Sequence, residues 1–371
     1  MRPFACVFAL GVFGLTSSVH AYQPITRPFE SVRGFGMGNV RYTTGLYEQN
    51  FHGNPARATQ NPKWKIGLLD PMIEVSSSTV GVIGDIAASS DNDQFGQIAD
   101  TAGRNNHGRF QLSFPSFFLP NVGGGKWSYA FGLLTSVQGD AALLSTFNIE
   151  EKVQIDIGPA MTIARKLLPD DALSVGLTAH AKYRLQSQSF DIFDLIGGQG
   201  FSATSSGLQG GLIDFDIGGT YKLPIPELLG FNFEGALAIN NLLGGKYKNS
   251  LFNFVSTART AAPPQPRSYN FGVVAKREQL AVFTDFLVAL EFTDLGNNGG
   301  GSIFRTVHLG SEARWKLLAV RTGFNQGYIT AGLGIDLKIL SIDFATYGEE
   351  LGLNVGDRQD RRFAVRFAFA I

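Results

Sequence analysis

Cysteine is all but absent from this chain. The one thiol, Cys6, lies in the first ten residues, inside an apolar stretch from Phe4 to Leu15 that follows Arg2. That stretch is too short to cross a bilayer, and Val19-His20-Ala21 places small residues where a signal peptidase reads them. Residues 1–21 are therefore expected to be a removable export signal, with the mature chain starting at Tyr22. A mature chain without thiols has no disulfide and no cysteine metal site. Charge is also scarce, at 17% against a usual ~25%, and the formal net charge is zero. That argues against nucleic acid as a partner, since nucleic-acid binders carry a basic face. After Ala21 no apolar run reaches the ~18 residues of a membrane helix.

Glycine and phenylalanine are abundant: 45 and 31 of 371 residues. Roughly 26 glycines would be ordinary for this length. An exported chain rich in both, and without membrane helices, fits a membrane β-barrel. Periodicity supports this over a soluble β-sandwich. In a barrel wall, lipid-facing and lumen-facing side chains alternate. Leu173, Val175, Leu177, Ala179, Ala181, Tyr183 and Leu185 alternate with Ser174, Gly176, Thr178, His180, Lys182 and Arg184. Phe363, Val365, Phe367, Phe369 and Ile371 alternate with Arg362, Ala364, Arg366, Ala368 and Ala370. Such runs reach the ~9–11 residues that a tilted strand needs to cross a bilayer.

Counting them predicts an all-β fold: a 14-stranded antiparallel transmembrane barrel. The strands fall near 64–79, 108–119, 126–138, 151–165, 172–186, 211–223, 231–242, 268–276, 281–293, 303–315, 318–324, 328–337, 339–346 and 362–371. Connections alternate short and long, except for a short one at 325–327, which segregates turns to one end and loops to the other. The reading divides the chain into a signal (1–21), an N-terminal extension (22–63) and the barrel itself (64–371).

The N-terminal segment contains Arg33-Gly34-Phe35-Gly36-Met37-Gly38-Asn39-Val40 and then Asn54-Pro55-Ala56. The C-terminal half contains His308-Leu309-Gly310-Ser311-Glu312, Leu318 to Gly327, and Ala331-Gly332-Leu333-Gly334. Together these segments resemble the FadL/PorV-like superfamily of outer-membrane barrels, the C-terminal half being more similar to the PorV-like branch. Thr43-Thr44-Gly45 and Glu48-Gln49 stand where that family often has an acidic pair. The resemblance implies a hatch inside the barrel at Gly34, Gly36, Gly38, Asn54 and Pro55. It implies one of two functions in the outer membrane: passive transport of long-chain fatty acids or other hydrophobic small molecules, or a non-transporting partner of a protein secretion and surface-attachment system.

Three outer loops, at 139–150, 187–210 and 243–267, are unusually apolar. Leu143, Leu144, Phe147, Phe190, Phe193, Leu195, Phe252 and Phe254 are the candidates for a hydrophobic-ligand pocket at the mouth; a packed cap and a docking surface are the other readings. The lumen faces carry both signs of charge: Lys182, Arg184, Asp214, Asp216, Glu312, Arg314, Arg321 and Arg366, with Asp156, Glu234, Asp285, Asp336 and Asp343. Balanced charges in a narrow lumen favour a salt-bridge network over a conduit. No enzyme, metal or cofactor is expected. His52, His107, His180 and His308 are not at ligand spacing, and the glycine run lacks the strand–helix context of a phosphate loop. The expected partners are outer-membrane lipid and either a hydrophobic small molecule or a secretion-system protein.

Overall fold

The computed structural model describes residues 25, 27–81, 104–143, 149–187, 207–225, 227–255 and 260–371. Fourteen antiparallel strands close on themselves. Strand β1 comes in two pieces, Lys65–Leu69 and Pro71–Ser76. There follow β2 (Asn105–Asn121), β3 (Trp127–Leu143), β4 (Ile149–Leu167), β5 (Leu173–Gln186), β6 (Leu208–Lys222) and β7 (Asn232–Asn240). The second half is β8 (Ser268–Leu280), β9 (Phe283–Leu295), β10 (Val307–Trp315), β11 (Leu318–Asn325), β12 (Tyr328–Asp336), β13 (Leu340–Glu350) and β14 (Gln359–Ala370). Each strand pairs with the next, and β1 pairs with both β2 and β14, which closes the barrel.

Alternation decides which face each residue takes. On β6, Ile213 and Tyr221 are exposed on the outer wall, while Leu212, Asp214 and Asp216 are buried inside. Phe271, Val273, Leu333, Phe344, Phe367 and Phe369 continue the outer apolar belt. A wall that turns such side chains outward is stable only against hydrocarbon. All three tryptophans, Trp64, Trp127 and Trp315, lie at the short-turn end and are exposed or half-buried. Indoles at one level mark a membrane interface.

Four elements differ from the sequence reading. β3 and β4 run on to Leu143 and back to Ile149, so most of the expected 139–150 loop is paired strand. Residues 303–306 form a 3-10 turn before β10. β1 is broken at Asp70, whose carboxylate leaves the ladder to bind Arg366 at 2.5 and 2.9 Å. β2 bulges between Ser113 and Ser116, around Pro115, which has no N–H to give the ladder. The bulge swaps the parity of the strand: Phe114 and Phe117 both face outward.

Residues 27–63 lie inside the barrel. They form a short helix α1 (Val32–Gly36) and two 3-10 turns, Tyr47–Phe51 and Pro55–Gln60. Helix α1 packs on β11 to β14 and the second turn on β4 to β6, so the segment bridges opposite walls. It also contributes side chains to three of the four buried apolar clusters among the described residues. Val32 and Phe35 pack with Met72, Tyr347 and Ala364; Met37 and Val40 with Val274 and Ala289; Phe29 and Phe51 with Phe118 and Leu134.

Candidate functional site

The candidate site is the plugged lumen and the loop above it. The hatch docks first on β10–β12, and the docking is backbone against backbone. A Cβ on Gly36 would come 2.9 Å from Gly332 Cα, and one on Gly38 (φ +66°) would strike the carbonyl oxygens of Leu309 and Phe324. Gly310 and Gly323 give way in the same manner to Met37 and Gly38. Only glycine permits both the close approach and the positive φ at Gly38. Hydrogen bonds lock the contact. Gly38 N donates to Thr330 Oγ1 at 2.9 Å, Thr330 Oγ1 donates to Gly36 O at 3.1 Å, and His308 Nδ1 donates to Gly38 O at 2.8 Å. Gly34 plays a different part: its N–H is capped by Ser31, and its carbonyl receives the Met37 and Asn39 amides within the hatch itself.

The second docking point is Asn54-Pro55 on β5–β6. Asn54 accepts from Ala56 N at 3.0 Å and donates to Tyr42 O and to Gly219 O on the wall. Gly176 clears the path: a Cβ there would lie 2.5 Å from the backbone of Pro55 and Ala56.

Four hatch arginines complete the clamp. Arg27 meets Asp294 at 2.8 Å and Glu349 at 3.4 Å; Arg33 makes two 2.9 Å bonds to Glu312; Arg57 meets Glu234 at 2.8 Å. Arg41 pairs with Glu30 inside the hatch, and its amide, with the amide and hydroxyl of Thr43, donates to the buried wall residue Glu291. The lumen charges predict a salt-bridge network, but the wall residues alone do not name its hatch partners Arg27, Arg33 and Arg57. The signal was there: residues 22–63 hold four arginines and one lysine but only two acids, Glu30 and Glu48. His52, stacked on Phe29 at 4.9 Å, is held well below its ordinary pKa by burial, with Lys182 and Arg41 adding to the effect.

The lumen charges named from sequence fall into three groups. Glu312 and Arg366 hold the hatch, the latter through Glu48 at 3.4 Å, and Arg366 also binds Asp70 at the break in β1. Arg314 and Arg321 brace the wall, bridging Glu312 to Asp336 and Asp343. Arg184, Asp214 and Asp216 anchor the 241–267 loop. Asp214 accepts from Leu243 N and Gly245 N, and Asp216 from Asn241 N. Arg184, fully buried, binds Asp156 at 2.8 Å and Gln265 at 3.1 Å and lies over the Tyr247 ring. Lys182 is buried beside Phe29. Asp285 is exposed near the short-turn end.

That loop caps part of the mouth. Tyr247 and Ala262 pack on Leu212 and Leu208 of the inner wall. Phe254 rests one edge on Tyr183 yet stays 73% exposed, and Phe252 is 44% exposed. Of the other candidate ligand residues, Leu143 ends β3, and Leu144, Phe147, Phe190, Phe193 and Leu195 lie outside the described residues. Below the hatch, toward the short turns, a vestibule of about 620 Å³ opens between Thr59, Gln60, Lys222, Glu234 and Lys276. The cavities above and beside the hatch are only about 30 and 40 Å³.

No family model and no curated protein matches this chain. Among solved structures it is similar to a FadL homologue of Pseudomonas aeruginosa (10% identity, covering 94% of this chain and 98% of that one, TM-score 0.48). It is similar to the deltaS2S3 mutant of TodX, a monoaromatic hydrocarbon channel (10% identity, 92% and 98% covered, TM-score 0.49). It is also similar to TbuX, the toluene transporter of Ralstonia pickettii (10% identity, 92% and 97% covered, TM-score 0.36). At such identity these are likenesses of barrel to barrel.

Proposed function

We propose that this chain is an outer-membrane transporter that takes up hydrophobic small molecules passively, long-chain fatty acids among them, without covalent chemistry. The observation that carries the reading is the pair Phe252 and Phe254, exposed on the loop whose Tyr247 and Ala262 pack on the inner wall. Exposed aromatics on such a loop are costly unless they meet an apolar ligand or partner. A hatch held by side chains and close packing, with no strand shared with the wall among the described residues, supports a closed state that a ligand could rearrange. A lumen filled at mid-height does not suit free diffusion of polar solutes.

A second reading has its own support. Three hatch arginines, Arg27, Arg33 and Arg57, buried against wall carboxylates favour a hatch that stays in place, as a secretion-partner scaffold would need. Equilibrium binding of a fluorescent long-chain fatty acid to the detergent-folded barrel separates the two. Saturable binding that strengthens with the chain length of unlabelled competitors supports transport. A folded sample without saturable binding overturns it and directs the work to pull-downs from native outer membrane.

A further inference from the structure

On the outer surface of the wall, β5 to β9 form an apolar groove of about 530 Å³. Two neighbouring cross-strand rows make it. One runs Leu173, Tyr221, Gly235, Val273, Leu290; the other runs Val175, Gly219, Leu237, Phe271, Phe292. The glycines sit diagonally, so side chains are missing where the two rows would otherwise fill the surface. Nothing else enters the gap: a Cβ on Gly219 or Gly235 would meet no atom closer than 3.6 Å.

The groove climbs the membrane. Leu173 opens β5 and Tyr221 is the second-to-last residue of β6, both beside the short turns. Val273 and Leu290 lie seven residues in from the turn ends Leu280 and Phe283 (280 − 273 and 290 − 283). With a rise of ~3.3 Å per residue and the tilt of a barrel strand, that is roughly 15–20 Å up the wall. The lower end is flanked by arginines at the level of the tryptophans. Arg165, which pairs with Val175, is exposed, lies 4.8 Å from the Trp127 ring and makes no ion pair with a carboxylate among the described residues. Arg277 lies on the other side, over Phe231.

We infer that this groove holds an anionic glycerophospholipid of the leaflet at the short-turn end, its acyl chain over Gly219 and Gly235 and its phosphate facing Arg165. An interfacial cation without a carboxylate partner complements a phosphate, and the groove continues the hydrocarbon-facing belt. A second copy of the chain fits worse: a two-fold contact through this face would bring its flanking arginines together. The site is independent of what the lumen carries.

The test is photo-crosslinking in phosphatidylcholine nanodiscs doped with phosphatidylglycerol bearing a diazirine on its acyl chain. Adducts are mapped by peptide mass spectrometry. The expected result is enrichment on 217–221, 235–237 and 271–273 over the lipid-facing residues of β10–β14. Arg165→Ala should lower that enrichment about fivefold, the equivalent of one interfacial cation. Gly219→Leu with Gly235→Leu, which fills the groove, should bring it to background. Even labelling around the barrel, enrichment unchanged in Arg165→Ala, or covalent dimers in place of lipid adducts would overturn the proposal.

Discussion

The hatch meets the wall on two sides, and the two contacts are built differently. On β10–β12 the backbones touch through Gly36, Gly38, Gly310, Gly323 and Gly332, and Glu312 gathers Arg33, Arg321 and Arg314. Glu312 is 2% exposed. On β5–β7 the Asn54-Pro55 turn is also close to the wall, but its ion pair, Arg57–Glu234, borders the vestibule, and Lys276 reaches Glu234 from a half-open position. One side is sealed and the other is next to water. A buried pair that loses one partner leaves an uncompensated charge, whereas a pair beside solvent can be rehydrated. If the hatch moves, the β5–β7 side should yield first.

Four substitutions test that contrast. The largest effect is expected from Gly38→Val, which drives a side chain into the carbonyls of Leu309 and Phe324. The loss should exceed about 4 kcal/mol in urea unfolding of the barrel in liposomes, or leave the hatch open to trypsin at Arg41. Glu312→Gln comes next, at about 3–5 kcal/mol, because it strands buried Arg33 and leaves Arg321 with Asp343 alone. Glu234→Gln should cost only about 1–2 kcal/mol, since Arg57 and Lys276 can turn to vestibule water. Equal costs at Glu312 and Glu234 would abolish the distinction between the two sides. Smallest in stability is Phe252→Ala with Phe254→Ala, within about 0.5 kcal/mol, as both rings are exposed. The same double variant should weaken fatty-acid binding severalfold in the fluorescence titration, and an unchanged affinity would detach those rings from ligand capture.

Much of this architecture was readable from alternation. The fourteen runs of outward apolar and inward polar residues correspond to the fourteen strands, because burial against lipid on one face and a packed lumen on the other imposes a period of two. The places where the reading slipped are those where the period breaks. Asp70 interrupts β1 to reach Arg366, the Pro115 bulge inverts β2, and Ile303–Thr306 coil into a 3-10 turn. At 139–150 the difference is the reverse: 139–143 and 149–150 continue the paired strands. Loops have no period at all, so nothing along the chain could tell that Tyr247 turns inward onto Arg184 while Phe254, seven residues later, turns out. The hatch glycines were legible as glycines, but their partners, Gly310, Gly323 and Gly332, lie some 270 to 300 residues away and are brought together only by closure.

The seam of the barrel sets an order of events. Ile66 and Ile371 exchange hydrogen bonds at 2.9 and 3.0 Å, joining the first strand to the end of the last across almost the whole sequence. Contacts this distant form late, since the intervening chain must first be organised. The hatch precedes β1 in the chain, yet it ends up enclosed and carries much of the apolar core. The same end of the chain thus both fills the barrel and closes it: the hatch runs directly into β1, which pairs with β2 and β14.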